Sequence, residues 1–488
     1  MLFPTLTFGL FFLGLFAVAW AARRDNEWRK ILLLAASWIF YGAWDWRFVA
    51  LLIGSAVVNW GLAREIARSA AFHSEGGDPN NLRRRKALVA VGVAANLAVL
   101  GTFKYCGFFL QQVSGTLHAL GWQRDLPVLQ IVLPVGISFF TFQGMSYLID
   151  IYRGKTTPAR LLDVTLLMSF FAHLVAGPIV RASDLIPQFQ TVPKLTREAA
   201  ATGFLLIAWG LFKKAVIASQ LATGFVDNVF FDPASHGPID LIAATYGYAV
   251  QIYCDFSAYS DMAIGLAALL GYQFPRNFDQ PYRAASLQDF WRRWHISLSS
   301  WLRDYLYISL GGNRGGLIKA CRNLMITMLL GGLWHGASWT FVIWGALHGT
   351  VLAAERLWRE FKPKAWPSLP QWIGVLVTFH IVCLAWIFFR ADSFASAIAF
   401  LQGMTHWGAA AGAAPAVAGA ALTVTPLAVA LILIGLSTQA LPPRLVETAG
   451  ARLARMPAIG FALSLGVVMV MIEALRPAGV APFIYYQF

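Results

Sequence analysis

The sequence predicts an all-α integral membrane protein, and three observations predict it. Hydrophobic residues make up 58% of the 488-residue chain and charged residues only 13%, against roughly 25% charged in soluble domains. Mean hydropathy is +0.60. The apolar residues fall in long runs, and a helix needs about 20 of them to cross ~30 Å of hydrocarbon.

The first run, 1–22, leads into Arg23-Arg24. A secretory signal has the reverse order, basic residues ahead of the apolar core, so this run is expected to be a retained span. Further candidates lie at 31–43, 48–66, 87–110, 127–150, 161–180, 200–219, 238–271, 320–353, 370–389, 414–440 and 456–474. About ten to twelve crossings are expected, some re-entrant. The 31–43 stretch is thin, and Trp44 and Trp46 beyond it suit a membrane interface. Gly331-Gly332 and Gly336 break the 320–353 run into two short helices or a re-entrant pair. Gly408 to Ala421, rich in alanine and glycine, reads as a flexible outer loop. No repeat of 20–50 residues is visible. The chain reads as one membrane domain, 1–488, with its motif-bearing core at about 130–350.

Lys plus Arg number 38 against 24 Asp plus Glu, a net charge of +14. The basic residues cluster between apolar runs: Arg23, Arg24, Arg29 and Lys30; Arg83 to Lys86; Arg153, Lys155 and Arg160; Arg276 to Arg322; Arg356 to Lys364; Arg444 to Arg455. Placing these in the cytoplasm puts both termini outside; the opposite orientation puts nearly every basic loop on the wrong side. No basic folded domain is long enough for nucleic acid. Cys106, Cys254, Cys321 and Cys383 are far apart and form no CxxC pair, so neither a disulfide framework nor a metal site is implied.

Chemistry concentrates at His335, in Leu329-Leu330-Gly331-Gly332-Leu333-Trp334-His335-Gly336-Ala337-Ser338-Trp339. A titratable ring in lipid must face a wet cavity or find partners, and imidazole is the side chain suited to moving protons near neutral pH. Small neighbours open space there, although helix packing uses the same residues. In 290–305, Trp291, Trp294, Leu298, Trp301, Leu302 and Tyr305 share one helical arc, with Arg292, Arg293 and Arg303 elsewhere. That pattern predicts a cytoplasmic interfacial helix, started by Ser286 with Asp289, and carrying His295 at the edge of its apolar arc. Asp255 and Asp261 lie in a long apolar stretch, with Ser257 on the face of Asp261; the histidines, Arg292 or Arg293 are the expected partners, in a structural or a catalytic pairing.

Other candidates carry less. Lys104 and Lys213-Lys214 read as snorkelling lysines near span ends. His173 is a candidate to line a cavity, and His348 and His380 read as structural. Gly311 to Gly316 lacks P-loop spacing. No cluster has metal-ligand spacing, and no GxSxG elbow is present.

These residues resemble a known family. Leu133 to Gln143, Asp255 to Gly265, Phe274 to Gly316 and Leu329 to Trp339 are similar to the membrane-bound O-acyltransferases, in the bacterial alginate O-acetyltransferase branch; the stretch from Trp291 to Asn313 together with Leu329–Trp339 is the most specific part. The resemblance implies a many-helix bundle with a central tunnel, in the bacterial inner membrane. It implies His335 as the catalytic histidine and His295 as the second, orienting the donor or donating to the developing oxyanion. Trp291, Arg292, Arg293, Asp255, Ser257, Asp261, Trp334 and Ser338 form the wider set expected at the donor or substrate. It further implies acetyl-CoA as donor, no bound cofactor, periplasmic acetyltransferase-type partners and an exopolysaccharide acceptor, alginate or another polymer such as cellulose. Two other readings remain: a transporter or channel using Asp255, Asp261 and His335 as relay groups, and a scaffold for a polysaccharide synthase.

Overall fold

The computed structural model describes residues 3–71, 79–122, 132–363, 370–407, 423–442, 444–479 and 481–484. Among these, regular structure is helical throughout. Seven helical stretches are long and apolar enough to cross a membrane: Leu6–Arg24, Arg47–Ser69, Asn80–Ala119, Arg197–Phe231, Leu317–His335, Gln371–Arg390 and Ala458–Leu475. The chain is thus a multi-pass membrane protein. Gly408–Ala421, expected as an outer loop, lies outside the described residues. The chain divides into two compact units.

The first unit comprises Met1–Gly203 with Ala263–Pro275. Its opening run is the helix Leu6–Ala21, begun by the Thr5 hydroxyl, which accepts from Phe8 N–H. The thin 31–43 stretch is part of a longer helix, Asn26–Asp45, because Asp25 caps it upstream by accepting from Glu27 and Trp28 N–H. This corrects the charge reading. Arg29 and Lys30 are not loop residues facing cytoplasm: both are buried. The Arg29 guanidinium lies over the Trp20 and Tyr272 rings and donates to the Tyr272 hydroxyl and the Leu270 carbonyl. Lys30 Nζ lies 2.8 Å from Asp163 and 2.6 Å from Glu27. The 161–180 run is likewise not one helix. Leu161–Ser169 stops at Phe170, whose ψ of 112° leaves the helical region, and only the short Phe171–Leu174 turn follows.

The second unit comprises Phe204–Met262 and Arg276–Phe488. Most of the 32-residue helix Pro238–Leu269 belongs to it. The broken 320–353 run forms two helices, Leu317–His335 and Trp339–Phe361, joined by three residues. Glycines explain how closely they pack. A methyl group on Gly332 would overlap the Phe341 carbonyl, one on Gly345 the Met328 carbonyl, and one on Gly349 would lie 2.8 Å from Met325 Sδ. The two backbones run antiparallel in direct contact, which small residues alone permit. Ser338 starts the second helix, its hydroxyl accepting from Thr340 N–H.

Candidate active site

The helix expected over 290–305 begins as predicted, with the Ser286 hydroxyl accepting from Asp289 N–H at 3.1 Å. It does not continue. Leu287–Arg293 ends at an extended Trp294, and His295 adopts φ 42° and ψ 55° before Ile296–Trp301 resumes. The left-handed region is uncommon for any residue but glycine, and such strain persists only where surroundings over-determine it, often at functional sites. Here the surroundings are Asn277 and Asp279: Ile296 N–H donates to the Asn277 carbonyl, and Asp279 N–H to the Arg293 carbonyl. The break also redirects the aromatic arc. Trp291, Trp294, Leu298, Trp301, Leu302 and Tyr305 are all buried, so they form interior packing and not a lipid-facing stripe.

The Asn277 side chain organises the kink. Its Oδ1 accepts from Ser297 N–H at 3.1 Å, from the Ser297 hydroxyl at 2.8 Å and from His295 Nδ1 at 3.2 Å. Its Nδ2 donates to the Ser260 hydroxyl at 3.0 Å. A carbonyl oxygen has no proton to give, so His295 carries its proton on Nδ1. Burial pushes the His295 pKa down to about 3, because a charged ring there is poorly solvated. The neutral ring therefore carries a lone pair on Nε2, and Nε2 has no partner among the described residues. Phe256 abuts the ring edge-on with centroids 4.6 Å apart, and Trp334 lies at 6.1 Å. In this tautomer Nε2 has no proton to donate to an oxyanion, and it is placed to accept a hydrogen bond.

His335 is the last residue of Leu317–His335 and is 3% exposed. Its ring packs edge-on against Trp334, Trp344 and Phe389, with centroids 5.0, 4.9 and 5.1 Å away. Directly beyond it opens a cleft of about 460 Å³, lined by Gly336, Ala337, Ser338, Thr340, Phe341 and the segment Phe389–Asp392. Arg390 there pairs with Asp227 at 2.9 Å and Asp392 at 3.7 Å. The chain thus places His335 one residue from the cleft lining, its ring against Phe389, and Ser338 within the lining.

The carboxylates are elsewhere engaged. Lys213 and Lys214 are not snorkelling lysines; both are buried, inside a π-helical turn, Phe212–Ala218. Lys213 Nζ lies 2.7 Å from Asp261 and donates to the Ser257 hydroxyl at 2.7 Å. Lys214 Nζ lies 2.8 Å from Asp255 and donates to the Pro482 carbonyl. Asp255 also accepts from Ile484 N–H at 2.9 Å. Asp255, Ser257 and Asp261 therefore take lysine partners, not the histidines or arginines expected of them. Arg293 pairs with Asp289 at 3.0 Å, while Arg292 is exposed. His173 is fully enclosed, its Nε2 2.8 Å from Gln143 Nε2 and 2.9 Å from the Leu167 carbonyl. His380 contacts the Tyr246 hydroxyl at 3.0 Å. Sequence reasoning missed Asn277, which lies within the family-like stretch Phe274–Gly316 but which no helical periodicity connects to His295.

The family model described as membrane-bound O-acyltransferase matches residues 156–398, which hold His295, His335, Asn277, the two lysines and their carboxylates; Pro482 and Ile484, which bond Lys214 and Asp255, lie outside it. A protein of Azotobacter vinelandii named "Probable alginate O-acetylase" is 42% identical over 386 residues, covering 78% of this chain and 72% of that one. The chain belongs to the membrane-bound O-acyltransferase family. The peptidoglycan O-acetyltransferase of Helicobacter pylori is 38% identical over 420 residues, covering 80% of this chain and 76% of its own. The teichoic acid D-alanyltransferase of Bacillus subtilis is 27% identical over 318 residues, with 60% and 79% covered. Like them, this membrane-bound O-acyltransferase is an acyl-transferring enzyme.

Proposed function

We propose that this enzyme takes acetyl groups from cytoplasmic acetyl-CoA and passes them across the bacterial inner membrane for O-acetylation of an exopolysaccharide, alginate in the first instance. The observation that carries the reading is a paired arrangement. One imidazole, His335, ends a helix one residue before the lining of an open cleft, its ring packed against Phe389. The other, His295, is locked as a neutral ring with an unfilled acceptor nitrogen. A thioester is already activated, so the protein need only position it, remove the hydroxyl proton and steady the oxyanion.

In this mechanism His335 takes the proton of the attacking hydroxyl. The oxygen bonds the acetyl carbon, the carbon–sulfur bond breaks, and the proton passes on to the departing thiolate. Carbonyls ending the helix lie beside a ring that becomes positive during the step, an arrangement that favours the charge. His295 Nε2 accepts a hydrogen bond from the donor, orienting it. Exposed Arg292, Arg303 and Arg314 favour an anionic donor at the cytoplasmic rim. The N-terminus is then periplasmic, and a periplasmic acetyltransferase-type partner carries the group onward to the polymer.

The test is His335→Ala in membranes supplied with labelled acetyl-CoA. The variant inserts normally and transfers no label; wild-type transfer would refute the assignment. Uncleaved thioester with the wild-type protein would instead favour a transporter. Mass analysis of secreted polymer from a deletion strain identifies the acceptor.

A further inference from the structure

Beside these two histidines the second unit buries a third, and nothing so far uses it. His348 lies on Trp339–Phe361 and is 1% exposed. Trp291 Nε1 donates to His348 Nδ1 at 3.2 Å. An indole nitrogen can only donate, so Nδ1 holds the lone pair and the neutral ring keeps its proton on Nε2. That Nε2–H finds no acceptor among the described residues. The neutral tautomers of His295 and His348 are therefore opposite.

Packing alone does not account for this residue. A phenylalanine fills nearly the same space, while an unmade bond from a buried donor costs more than a typical made bond returns. What the imidazole adds is the acceptor for Trp291, whose indole is itself buried. The consequence reaches the catalytic ring through one intermediary. The His348 and Trp344 rings lie 4.6 Å apart, and Trp344 is fully buried with its ring 4.9 Å from His335. Trp291 also meets Trp344 edge-on at 5.8 Å. Because the backbones touch at Gly332 and Gly345, the helices cannot shift to absorb a change in these rings.

We propose that His348 is a positioning residue for His335: tied to Trp291 through Nδ1, it fixes the Trp344 ring, which sets the orientation of the His335 imidazole. This rests on the reading of His335 as the proton acceptor. The test compares the full chain in membrane vesicles with His348→Phe, His348→Asn and Trp291→Phe variants, following labelled acetyl transfer from acetyl-CoA.

His348→Phe keeps the packing and breaks the tie, so kcat falls about 10- to 100-fold while KM for acetyl-CoA stays within twofold. His348→Asn keeps an acceptor for Trp291 and recovers at least part of that loss. Trp291→Phe removes the same bond from the other side, and the double variant Trp291→Phe/His348→Phe is no slower than the slower single one. Wild-type kcat in His348→Phe, with His335→Ala inactive, overturns the inference and leaves the proposed function standing. An active His335→Ala overturns the function itself. If His348→Phe fails to accumulate, Trp291→Phe decides: wild-type kcat there sinks the proposal.

Discussion

Replacing Asn277 by alanine tests whether one side chain holds the His295 kink. The change removes an oxygen that accepts from three donors: Ser297 N–H, the Ser297 hydroxyl and His295 Nδ1. The Ser297 backbone donor is then left buried without its bond, a loss of about 1–3 kcal/mol. The other two have a fallback. Ser297 Oγ already lies 3.4 Å from His295 Nδ1 and can rotate to accept from it, so each of those bonds forfeits only its net worth of about 0.5–1.5 kcal/mol. The change also removes the Nδ2 bond to the Ser260 hydroxyl, another ~0.5–1.5 kcal/mol, and the sum is about 2.5–7.5 kcal/mol of stability. For the tautomer, losing a bond of about 0.5–1.5 kcal/mol changes the ratio of the two forms by about 2- to 12-fold. The assay is twofold: heat-induced loss of the monodisperse protein peak in detergent, and acetyl transfer in membranes at a temperature where the variant remains folded. The expected result is a lower midpoint and turnover reduced by no more than about tenfold. A variant with unchanged midpoint and turnover within twofold of wild type would refute the reasoning, because the left-handed His295 would then be held by something else.

Two further outcomes follow from the same geometry. Lys214→Met leaves Asp255 buried without its cation, since both side chains are 5% exposed or less, and costs about 3–5 kcal/mol; adding Asp255→Asn restores most of the loss. Lys213→Met is milder because Asp261 is 21% exposed and can be hydrated; equal losses in the two lysine variants, read by the same heating assay, would contradict this. Titration supplies the other outcome. The folded His295 pKa is pushed down to about 3 from 6.5. Below pH 6.5 the unfolded ring therefore binds a proton that the folded ring does not. Stability attributable to this residue is intact above pH 6.5 and is lost as pH falls toward 3, by about 1.4 kcal/mol per pH unit. Wild type should lose stability relative to His295→Gln between pH 6 and pH 4, and parallel curves would show that burial does not hold the ring neutral.

Much of this fold was legible from hydropathy: the first span, the hairpin that turns at Gly336, and the Ser286 cap follow from run length, small residues and capping chemistry, whereas Gly331 and Gly332 do not break the run but lie inside the helix Leu317–His335, where Gly332 meets the Phe341 carbonyl. What failed did so for physical reasons. Periodicity assumes a continuous helix, and one residue in the left-handed region, with no glycine to announce it, resets the phase at His295. Lys213 and Lys214 read as snorkelling groups because they sit near the end of an apolar run, where a long stem can carry its charge to the interface. The π-helical turn Phe212–Ala218 widens the backbone there, and both Lys213 and Lys214 end up inside. Likewise Arg29 and Lys30 look like loop charges until Asp25 is seen to cap the helix ahead of them. The motif histidines were visible. The amide that sets the proton on one of them was not: Asn277 lies within the family-like stretch Phe274–Gly316, but no helical periodicity connects it to His295, 18 residues on.

The glycine contacts between Leu317–His335 and Trp339–Phe361 have a mechanical corollary. Where main chain rests on main chain, no side chains remain to slide past one another, and the hairpin behaves as a rigid frame. On the proposed reading of His335, a path to it from the cleft passes the Phe389 ring, 5.1 Å from the imidazole and packed on Phe341, while the frame stays in place. Bulk added to those rings should throttle passage, whereas cross-linking the two frame helices should leave it unhindered.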